Sequence, residues 1–459
     1  MAEKIEIWGV KDPNISAQLA LAAKMDLFQK EAGLDVSCRF AESGTTMPRD
    51  VLEAEHKPFA FTQTPITSIL LHDQGLSTKI IAPLADIAGT QQVIIHEDSH
   101  ITNPKALEGK RIGMAKGAAI YIALSNMAND YQVDLDQVYF INLMPRDQLT
   151  AFGEHRLDAI ACWEPWTSEA VARGGQFYFS GTHSAISGME GPVKWLVNQS
   201  CLIAPDAHIE DKADILIGIL HVLHTATNLI NHNADGVSTL LADFFHLHED
   251  DLSAIMLKNT YSMTMDTLFR IGVLSFRDFL YENGRVSLAL TEEQLYRSDL
   301  LQEVDPTLLT LRASTSKDYG IFEKDRIYFK HDRKFEGDTS ELRFLMADDS
   351  IVVRNFLNQT LEILGAEMVG EATNGNEVIE MFTRLRPNFI TMDLAMPGLS
   401  GIDAIRRIRE IEPRANIIVI SGLDMREVRE EVFKLGAKMF IKKPFDPAKT
   451  AAIIRAMLE

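Results

Sequence analysis

Short, mostly apolar runs lead directly into a set of polar residues in the last quarter of the chain. The polar residues are the acidic pair Asp348 and Asp349, then Asp393, then Ser421, and finally Lys443. Apolar runs of this length, spaced by helical patterns, predict buried parallel strands. Because open α/β sheets place their chemistry at the carboxyl ends of the strands, we expect these side chains to converge on one crevice.

The predicted crevice suits phosphoryl chemistry on a carboxylate. Three clustered carboxylates repel one another and favour a hard, oxygen-seeking cation, for which Mg²⁺ is the best candidate. The ion would bridge a phosphoryl group to Asp393, whose carboxylate acts as the nucleophile. Ser421 and Lys443 are placed to hold phosphoryl oxygens by a hydrogen bond and by charge. The alternative is a solvated acidic rim on an ordinary doubly wound domain, which the agreement of several strand ends disfavours.

Residues 341–459 resemble the response-regulator receiver family, the CheY-like domain. The resemblance implies a doubly wound (βα)5 fold, a bound Mg²⁺, a histidine kinase as phosphodonor and a cis peptide bond before Pro444. It also implies a rearrangement around a switch aromatic on phosphorylation. The residues that carry the resemblance are Asp348 and Asp349 as the metal-binding acidic pair, Asp393 as the phosphoacceptor, Ser421 as the switch hydroxyl, Phe440 as the switch aromatic and Lys443 as the invariant lysine.

The bulk composition bounds the kind of protein. A chain of 459 residues is too long for one ordinary core and predicts two or three domains. The net charge is −20, which argues against a nucleic-acid partner, because phosphate backbones need clustered Lys and Arg. From Glu341 onward the chain has 18 acidic and 16 basic residues, so almost all of the excess acid lies before it. We therefore expect an acidic body followed by a nearly balanced C-terminal domain.

Cysteine usage and hydropathy favour a reducing compartment. Cys38, Cys162 and Cys201 are scattered and odd in number, so they fit neither a disulfide framework nor a paired-cysteine metal site. We find no apolar run long enough to span a bilayer and expect no membrane insertion. The first residues lead into a predicted strand without a signal-peptide pattern. Because the kinases that serve receiver domains act in the cytoplasm, we expect a cytoplasmic protein.

Strand and helix patterns also alternate through the first two hundred residues, which predicts a second α/β region. Helices are predicted at 16–31 and 119–130, with a further one ending at 55. Strands are predicted at 5–10, 34–41, 59–64, 92–96, 111–115, 139–143 and 157–163. From about Asp211 to about Ser298 the pattern becomes mostly helical. The connector at 305–340 is polar, but two aromatic islands within it predict a short hairpin that docks between domains.

Several predicted strand-to-helix junctions in this region carry small polar residues. They are found at 43–46, 62–64, 89–90 and 116–119. Exposed backbone N–H groups at helix starts make sites for anions or ligand oxygens. Each junction alone is better explained as a helix cap. Four of them in one α/β region favour a ligand-binding domain.

The region resembles the type 2 periplasmic-binding-protein family, in the group that binds nitrate, sulfonates and thiamine-pyrimidine precursors. The resemblance rests on the order of the junctions and on the stretches 107–117 and 157–166. It implies a bilobed domain over 1–304 with a ligand between its lobes. One lobe would combine 1–88 with 196–300, and the other would comprise 92–192.

The resemblance places a set of candidate residues at the cleft. Glu164 bears on the ligand type, because a carboxylate disfavours a simple anion unless a cation accompanies it. Lys116 is one candidate for that cation, and a ligand with an amine or ring N–H, such as a pyrimidine, is another way to satisfy Glu164. The candidate ligand-binding residues are Trp8, Asn14, Ser43, Thr45, Thr64, Thr90, Ala119, Tyr121 and Glu164.

We expect a cytoplasmic two-component signalling protein, in which a small-molecule-binding domain is coupled to a receiver phosphorylated on Asp393. A histidine kinase and the small molecule are the expected partners, and a homodimer is left open. No output domain follows the receiver in this sequence, so we expect output from the N-terminal domain, a change in dimerisation or a separate partner. Two alternatives stay open: a receiver-gated cytosolic biosynthetic enzyme, whose best-known relative needs a cysteine cluster that this chain lacks, and a ligand-free protein-interaction module.

Overall fold

A computed structural model gives the structure of the protein. It describes residues 5–311, 321–324, 326–330, 335–336 and 341–458. The chain divides into two compact units. The first unit comprises Met1–Gln92, Trp163–Ser168 and Val197–Leu311, and the second comprises Val93–Cys162, Glu169–Leu196 and Arg312–Glu459.

Strands and helices alternate through the first part of the chain, as the sequence predicts, before a helical segment. Up to residue 205 they are β1 (Ile5–Val10), α1 (Pro13–Lys24), α2 (Leu27–Ala32), β2 (Val36–Ala41), α3 (Met47–Glu53), β3 (Ala60–Gln63), α4 (Pro65–Asp73), β4 (Thr78–Asp86), β5 (Gln91–His96), β6 (Arg111–Met114), α5 (Ile120–Tyr131), β7 (Tyr139–Asn142), α6 (Pro145–Gly153), β8 (Ala159–Trp163), α7 (Trp166–Ala172), β9 (Gly175–Ser180), β10 (His183–Ser184), β11 (Gly191–Pro192) and β12 (Gln199–Pro205). The helical segment contains α8 (Asp206–Asp211), α9 (Ala213–His232), α10 (Ala234–Phe245), α11 (Glu249–Met256), β13 (Thr260–Tyr261), α12 (Thr267–Glu282), α13 (Glu292–Leu295) and α14 (Asp299–Val304).

The C-terminal part begins with a hairpin and continues as an alternating α/β domain. Its elements are β14 (Ile321–Lys324), β15 (Ile327–Lys330), β16 (Arg343–Ala347), α15 (Ile351–Leu364), β17 (Glu367–Ala372), α16 (Gly375–Leu385), β18 (Phe389–Met392), α17 (Gly401–Ile411), β19 (Asn416–Ser421), α18 (Arg426–Leu435), β20 (Met439–Lys442) and α19 (Pro447–Leu458).

The first unit is built on a six-stranded sheet with the order β13-β4-β12-β3-β1-β2. β1 pairs in parallel with β2 and β3, whereas β12 runs antiparallel between β3 and β4. Helix α1 begins after Asp12, whose side chain accepts a hydrogen bond from the Asn14 N–H, and Pro13 suits its first turn. The helix predicted at 16–31 is in fact two helices, because Asp26 between them has a left-handed backbone with φ 57°.

Helix α9 is the one helix in the described parts of the chain that is long and apolar enough to cross a bilayer, judged by length and composition alone. It packs against α1, α2 and α14 in the first unit. Its buried residues include Leu216, Ile219 and Leu223. The core helix of a globular domain passes the same test of length and composition, so α9 is weak evidence for a membrane span.

A second sheet of seven strands has the order β11-β10-β9-β5-β8-β6-β7. β6 pairs in parallel with β7 and with β8, as expected for strands that alternate with helices. Strands β4 and β9 to β12 have no counterpart in the sequence prediction. β10 and β11 are only two residues long, so they carry no pattern of apolar residues, whereas β4 and β12 contain apolar runs that the prediction overlooked.

The third sheet confirms the predicted doubly wound fold of the C-terminal domain. β17, β16, β18, β19 and β20 are parallel neighbours in that order, and the hairpin β14–β15 adds two antiparallel strands next to β20. The core between this sheet and its helices contains Phe344, Phe389, Ile418 and Ile441, all fully buried. The predicted hairpin is therefore present and extends the sheet, while Tyr319 and Gly320, part of one predicted aromatic island, lie outside the described residues.

Short polar residues and glycines set the ends of the helices around this sheet. Ser350 caps α15 by accepting a hydrogen bond from the Val353 N–H, and Ser400 caps α17 in the same way. Each such cap typically contributes about 1 kcal/mol. Gly365 and Gly436 end α15 and α18 with left-handed φ values of 70° and 107°. These caps fix where each helix starts relative to the end of the strand before it.

Candidate functional site

The predicted acidic residues, serine and lysine lie at one edge of the third sheet. Asp348 and Asp349 follow β16, Asp393 follows β18, Ser421 is the last residue of β19 and Lys443 follows β20. Parallel pairing of these strands makes them end at the same edge. The structure therefore brings together the residues that the sequence places at four separate strand ends.

Short polar contacts hold the Asp393 carboxylate from both sides. Lys443 Nζ lies 2.7 Å from Oδ2 of Asp393 and 2.8 Å from Oδ2 of Asp348. Ser421 Oγ donates a hydrogen bond to Oδ1 of Asp393 at 2.9 Å, and the Leu394 N–H donates to the same oxygen at 2.6 Å. A carboxylate, a hydroxyl and an ammonium group are thus in contact, which is the arrangement that phosphoryl transfer to a carboxylate needs.

Burial makes the charges of this site strongly interdependent. Asp348 is 1% exposed, and Asp393 and Lys443 are each 5% exposed. Burial raises the pKa of Asp348 to about 7, with Lys443 opposing and Asp393 reinforcing the rise. Burial, then the charges of Asp348 and Asp393, hold the pKa of Asp349 well above its ordinary value. Burial alone would lower the pKa of Lys443, but the same two carboxylates raise it well above its usual range.

The three carboxylates fit a hard divalent cation. Each of Asp348, Asp349 and Asp393 offers a carboxylate oxygen, and these oxygens lie within 4.8 Å of one another. Oδ2 of Asp349 is buried and has no hydrogen-bond partner within the described chain. An unpartnered carboxylate oxygen beside two others suits the all-oxygen coordination that Mg²⁺ prefers. The residues present therefore match the Mg²⁺ that the sequence predicts.

Gly401 is a glycine because the Asp393 backbone passes too close for any side chain. A Cβ on Gly401 would lie 1.8 Å from the Asp393 carbonyl oxygen. The Gly401 N–H also donates to the Leu394 carbonyl at 3.0 Å, which folds the loop after β18 back onto the start of α17. The position of the phosphoacceptor candidate thus depends on a residue that site chemistry alone would not single out.

Phe440, the predicted switch aromatic, is fully buried on β20. β15 pairs with β20 so that Tyr328 lies opposite Phe440, and the two rings meet edge to face at 5.9 Å. The Tyr328 hydroxyl donates to Asp424 at 3.2 Å, and the Arg429 guanidinium lies over the Tyr328 ring. The connector hairpin therefore borders β20, and its Tyr328 packs against the side chain of Phe440.

In the first unit, three predicted ligand-binding residues form one buried polar network. Asn14 Nδ2 donates to the Glu164 carbonyl at 3.1 Å, and the Glu164 N–H donates to the Thr90 carbonyl at 3.1 Å. Asn259 Nδ2 donates to Oδ1 of Asn14 at 3.1 Å. Oδ1 of Asn259 is itself buried without a hydrogen-bond partner in the part of the chain that the structure describes. A free buried acceptor is a point where a ligand or water would bind.

The Glu164 carboxylate has partners within the same unit. It accepts hydrogen bonds from the N–H and the hydroxyl of Ser168, each at 3.0 Å, and forms an ion pair with Lys258. Lys258, rather than the Lys116 considered from the sequence, is the cation that accompanies it. Lys258 and Asn259 follow α11 in a segment with no motif, so nothing in the sequence marked them.

Other predicted ligand-binding residues of the first unit make local contacts. The Trp8 indole N–H donates to Glu6 at 2.8 Å, and the Ser43 and Thr45 hydroxyls lie 2.8 Å apart. Thr64 stands immediately before α4. Such contacts are typical of polar residues at strand ends and helix starts.

Ala119 and Tyr121 belong to the second unit, at the start of α5. Ala119 is buried at the N-cap position, and the Tyr121 ring meets Phe140 edge to face at 5.5 Å. Asn14 and its network belong instead to the first unit.

The cysteines offer little reactivity. Burial raises the pKa of the Cys38 thiol to about 12 and raises that of Cys201 as well. Cys162 is also buried and free of disulfides. A thiol with a raised pKa is a poor nucleophile and a poor metal ligand at neutral pH.

Comparison with known proteins identifies the C-terminal region. Residues 344–455 match the family described as response regulator receiver domain. The chemotaxis protein CheY of Thermotoga maritima is 44% identical over 107 residues, which are 23% of this chain and 89% of that protein. The chemotaxis protein CheY of Bacillus subtilis is 34% identical over 116 residues, which are 25% of this chain and 97% of that protein.

The N-terminal region matches a second family. Residues 14–235 match the family described as NMT1/THI5 like. The periplasmic aliphatic sulphonate binding protein of Escherichia coli superposes with a TM-score of 0.55 at 18% identity, over 64% of this chain and 98% of that one. The periplasmic nitrate-binding protein of Synechocystis superposes with a TM-score of 0.52 at 11% identity, over 66% of this chain and 88% of that one. At such identities the likeness establishes the periplasmic-binding-protein fold alone.

Proposed function

Because its C-terminal domain makes the chain a member of the response-regulator receiver family, we propose that it is a cytoplasmic two-component signalling protein phosphorylated on Asp393. In this proposal a histidine kinase is the phosphodonor, and the N-terminal domain binds a small molecule. The observation that carries it is the contact of Lys443 and Ser421 with opposite oxygens of the Asp393 carboxylate, beside an acidic pair.

In the proposed reaction, a carboxylate oxygen of Asp393 attacks the phosphorus of a phosphohistidine. The new P–O bond forms as the P–N bond breaks, and the bonding electron pair stays on the imidazole nitrogen, which takes up a proton. Lys443 and Ser421 are close enough to transfer their contacts from Asp393 to phosphoryl oxygens. When bound by Asp348, Asp349 and Asp393, Mg²⁺ supplies positive charge for the phosphoryl oxygens in the transition state.

We expect the phosphorylated state to be read out next to Ser421 and Phe440. A hydroxyl that now donates to Asp393 would follow the phosphoryl oxygens, and the residues after β19 would move with it. Phe440 is on the neighbouring strand and packs against Tyr328 of the connector hairpin. A shift of Phe440 would therefore alter the packing of Tyr328 in the hairpin, which lies between the N-terminal domain and the receiver in the sequence.

The charges around the Asn14 network favour a neutral or cationic ligand for the N-terminal domain. Asp12 accepts from the Asn14 N–H at 2.8 Å, so the positive end of α1 already holds a carboxylate. Burial raises the pKa of Asp12 to about 6. Lys258 is already paired with Glu164, and among the described residues this network offers no second cation to hold an anion. A ring N–H or an amine suits it better than a sulfonate or a nitrate.

The ligand class is tested by thermal shift of the full chain with a panel of small molecules. The panel contrasts an aminomethyl-pyrimidine with an alkanesulfonate and nitrate at matched ionic strength. We expect stabilisation by the pyrimidine and none by the anions, and we expect Asp12→Asn to reduce the difference between them. Stabilisation by the sulfonate alone would contradict the assignment of ligand charge while leaving the receiver chemistry untouched.

The phosphorylation itself is tested with acetyl phosphate and Mg²⁺ as a small phosphodonor system. We expect the intact mass to rise by one phosphoryl group, in a Mg²⁺-dependent way, and peptide mapping to place the group on Asp393. The Asp393→Asn variant keeps the shape of the side chain and loses the nucleophile, and Asp446→Asn removes an exposed carboxylate of the same domain as a control. Phosphoryl incorporation that persists in Asp393→Asn would contradict the proposal.

A further inference from the structure

Helix α5, which belongs to the N-terminal region of the sequence, lies against the candidate phosphorylation site. α5 packs on α15, and a Cβ built on Gly422 would lie 3.5 Å from Oδ1 of Asn126. Gly422 directly follows Ser421. The Asp130 carboxyl, one turn further along α5, has the charges of Lys443 and Asp393 as neighbours. Both α5 and the receiver belong to the second compact unit.

The next residues of α5 and α15 extend the contact over the acidic pair. The Ser350 hydroxyl is a hydrogen-bonding neighbour of Asp130. Tyr131 is close enough to Asp349 for the charge of that carboxylate to act on its hydroxyl. One helix therefore lies near residues from all four of the strand ends that make up the site.

Trp195 fixes the face of α5 that points at the receiver. Its indole N–H donates to Oδ2 of Asp130 at 2.8 Å, and Asn126 Nδ2 donates to its carbonyl at 2.8 Å. The Tyr131 ring meets the Trp195 ring edge to face at 5.9 Å. Asp130 and Trp195 are only 7% and 4% exposed. These contacts hold Asn126 and Asp130 in one orientation, so the covering surface is pre-formed.

The covered site is closed to a phosphodonor. A phosphohistidine must reach Asp393 with its phosphorus in line with a carboxylate oxygen. Asp393 is 5% exposed and Lys443 is 5% exposed in the docked arrangement. Because α5 lies beside Gly422 and close to Lys443 and Asp393, we expect a phosphodonor to reach the nucleophile only after α5 moves away.

Charge opposes α5 once a phosphoryl group is present. The site already holds the buried Asp348 and Asp393 and the half-buried Asp349 beside Lys443, and Asp130 adds a fourth carboxyl group. A phosphoryl group on Asp393 adds further negative charge and claims Lys443 for itself. Like charges in a site shielded from water repel strongly, so the docked helix and the phosphoryl group disfavour one another.

We propose that α5 is a docking surface for the receiver's own phosphorylation site, so that docking and phosphorylation of Asp393 exclude one another. This inference rests on the proposed function. It makes the N-terminal domain the partner of the receiver: the docked state blocks the phosphodonor, and phosphorylation releases the helix. Any ligand that favours the docked state must then disfavour phosphorylation at equilibrium by the same factor by which phosphorylation weakens its binding.

The test is a reversible lock between α5 and the receiver in the full chain. Asn126→Cys and Gly422→Cys are combined and joined with a short, reducible bis-thiol linker. Gly422 has no left-handed backbone, and a side chain there meets Asn126 at ordinary contact distance, so both cysteines fit the docked arrangement. The single Asn126→Cys variant treated with the same linker is the control. The probes are acetyl phosphate with Mg²⁺ for phosphorylation and beryllofluoride with Mg²⁺ as a phosphoryl mimic.

Three results are expected. First, the linker joins the two cysteines in the unphosphorylated protein. Second, beryllofluoride slows the formation of this cross-link. Third, the cross-linked protein takes up phosphoryl groups on the order of tenfold more slowly than the same protein after reduction, because only the undocked fraction can be phosphorylated. Failure of the linker to form, joining that beryllofluoride leaves unchanged, or equal phosphorylation of the locked and reduced protein would each overturn the proposal. Failure of the proposed function looks different: the wild-type chain itself then takes up no phosphoryl group on Asp393.

Discussion

Replacing Asp349 by asparagine should stabilise the metal-free receiver domain at neutral pH. The substitution keeps the shape of the side chain and removes one negative charge from a buried cluster of three carboxylates and one ammonium. Asp348 gives the scale: its pKa is raised from 3.8 to about 7, a cost to the folded state of roughly 4 kcal/mol at pH 7. The pKa of Asp349 is raised for the same reasons. We therefore expect Asp349→Asn to increase the free energy of unfolding of the receiver domain by on the order of 2 kcal/mol.

The sign of the pH dependence follows from the direction of these shifts. A carboxyl whose pKa is higher in the folded state binds more protons when folded, so stability falls as pH rises. The cost is absent below the ordinary carboxyl pKa of 3.8 and grows until pH reaches the folded value of about 7. The advantage of Asp349→Asn over the wild-type protein should therefore be small near pH 4 and largest near pH 7.

Hydrogen exchange followed by mass spectrometry measures this in the full chain. Amides of β16 and β18, which lie in the receiver core, report the free energy of opening of that domain alone. With Mg²⁺ present, the wild-type protein should become the more stable of the two. A ligand at about a hundred times its Kd adds about 2.7 kcal/mol to the free energy of unfolding of the wild-type protein, and Mg²⁺ should add less to the variant. Glu380→Gln, an exposed charge change on α16, is the control. An equal advantage at pH 4 and pH 7, or no advantage at either, would refute the electrostatic account of the site.

Three further predictions concern individual contacts. Gly401→Ala should destabilise the receiver by at least ~3 kcal/mol and abolish phosphorylation, because its Cβ would lie 1.8 Å from the Asp393 carbonyl oxygen. Hydrogen exchange measures the stability and acetyl phosphate labelling measures the phosphorylation, and labelling at the wild-type rate would contradict the prediction. Tyr328→Ala should speed exchange in β20, since it removes the ring packed on that strand; unchanged exchange would mean that the hairpin does not support the sheet edge. Lys258→Met should lower the free energy of unfolding of the first unit by roughly 3 kcal/mol, because it leaves the buried charge of Glu164 without its cation. Adding Glu164→Gln should restore most of this loss, as measured by urea unfolding. A double variant as unstable as Lys258→Met would argue against the ion pair.

The receiver could be predicted from the sequence because its signals are local. Each functional side chain follows a buried strand, and the parallel sheet order then brings the strand ends together without further information. Gly401 is different: the reason for its identity is a close approach of the Asp393 backbone, which only the folded loop reveals. The Asp130 and Trp195 contacts lie outside the receiver motif, and no periodicity links them to it.

The N-terminal domain could be predicted from the sequence only in part. Its fold could be predicted from the alternation of strands and helices and from the family resemblance, but the partner of Glu164 could not. Lys258 reaches Glu164 across 94 positions of sequence. The small polar residues Ser43, Thr45 and Thr64 match a binding-site pattern and also match ordinary turn and cap chemistry, and the sequence alone does not separate the two.

We expect the binding of a small molecule and the phosphorylation of Asp393 to be linked in this one protein. Native mass spectrometry of the full chain, purified gently and compared with its denatured mass, tests it most directly when run with and without beryllofluoride and Mg²⁺. The account predicts a small extra mass that disappears on denaturation and whose occupancy changes when the phosphoryl mimic is bound; the same spectra give the oligomeric state. A bound small molecule whose occupancy, together with the oligomeric state, is the same under both conditions would contradict the claim.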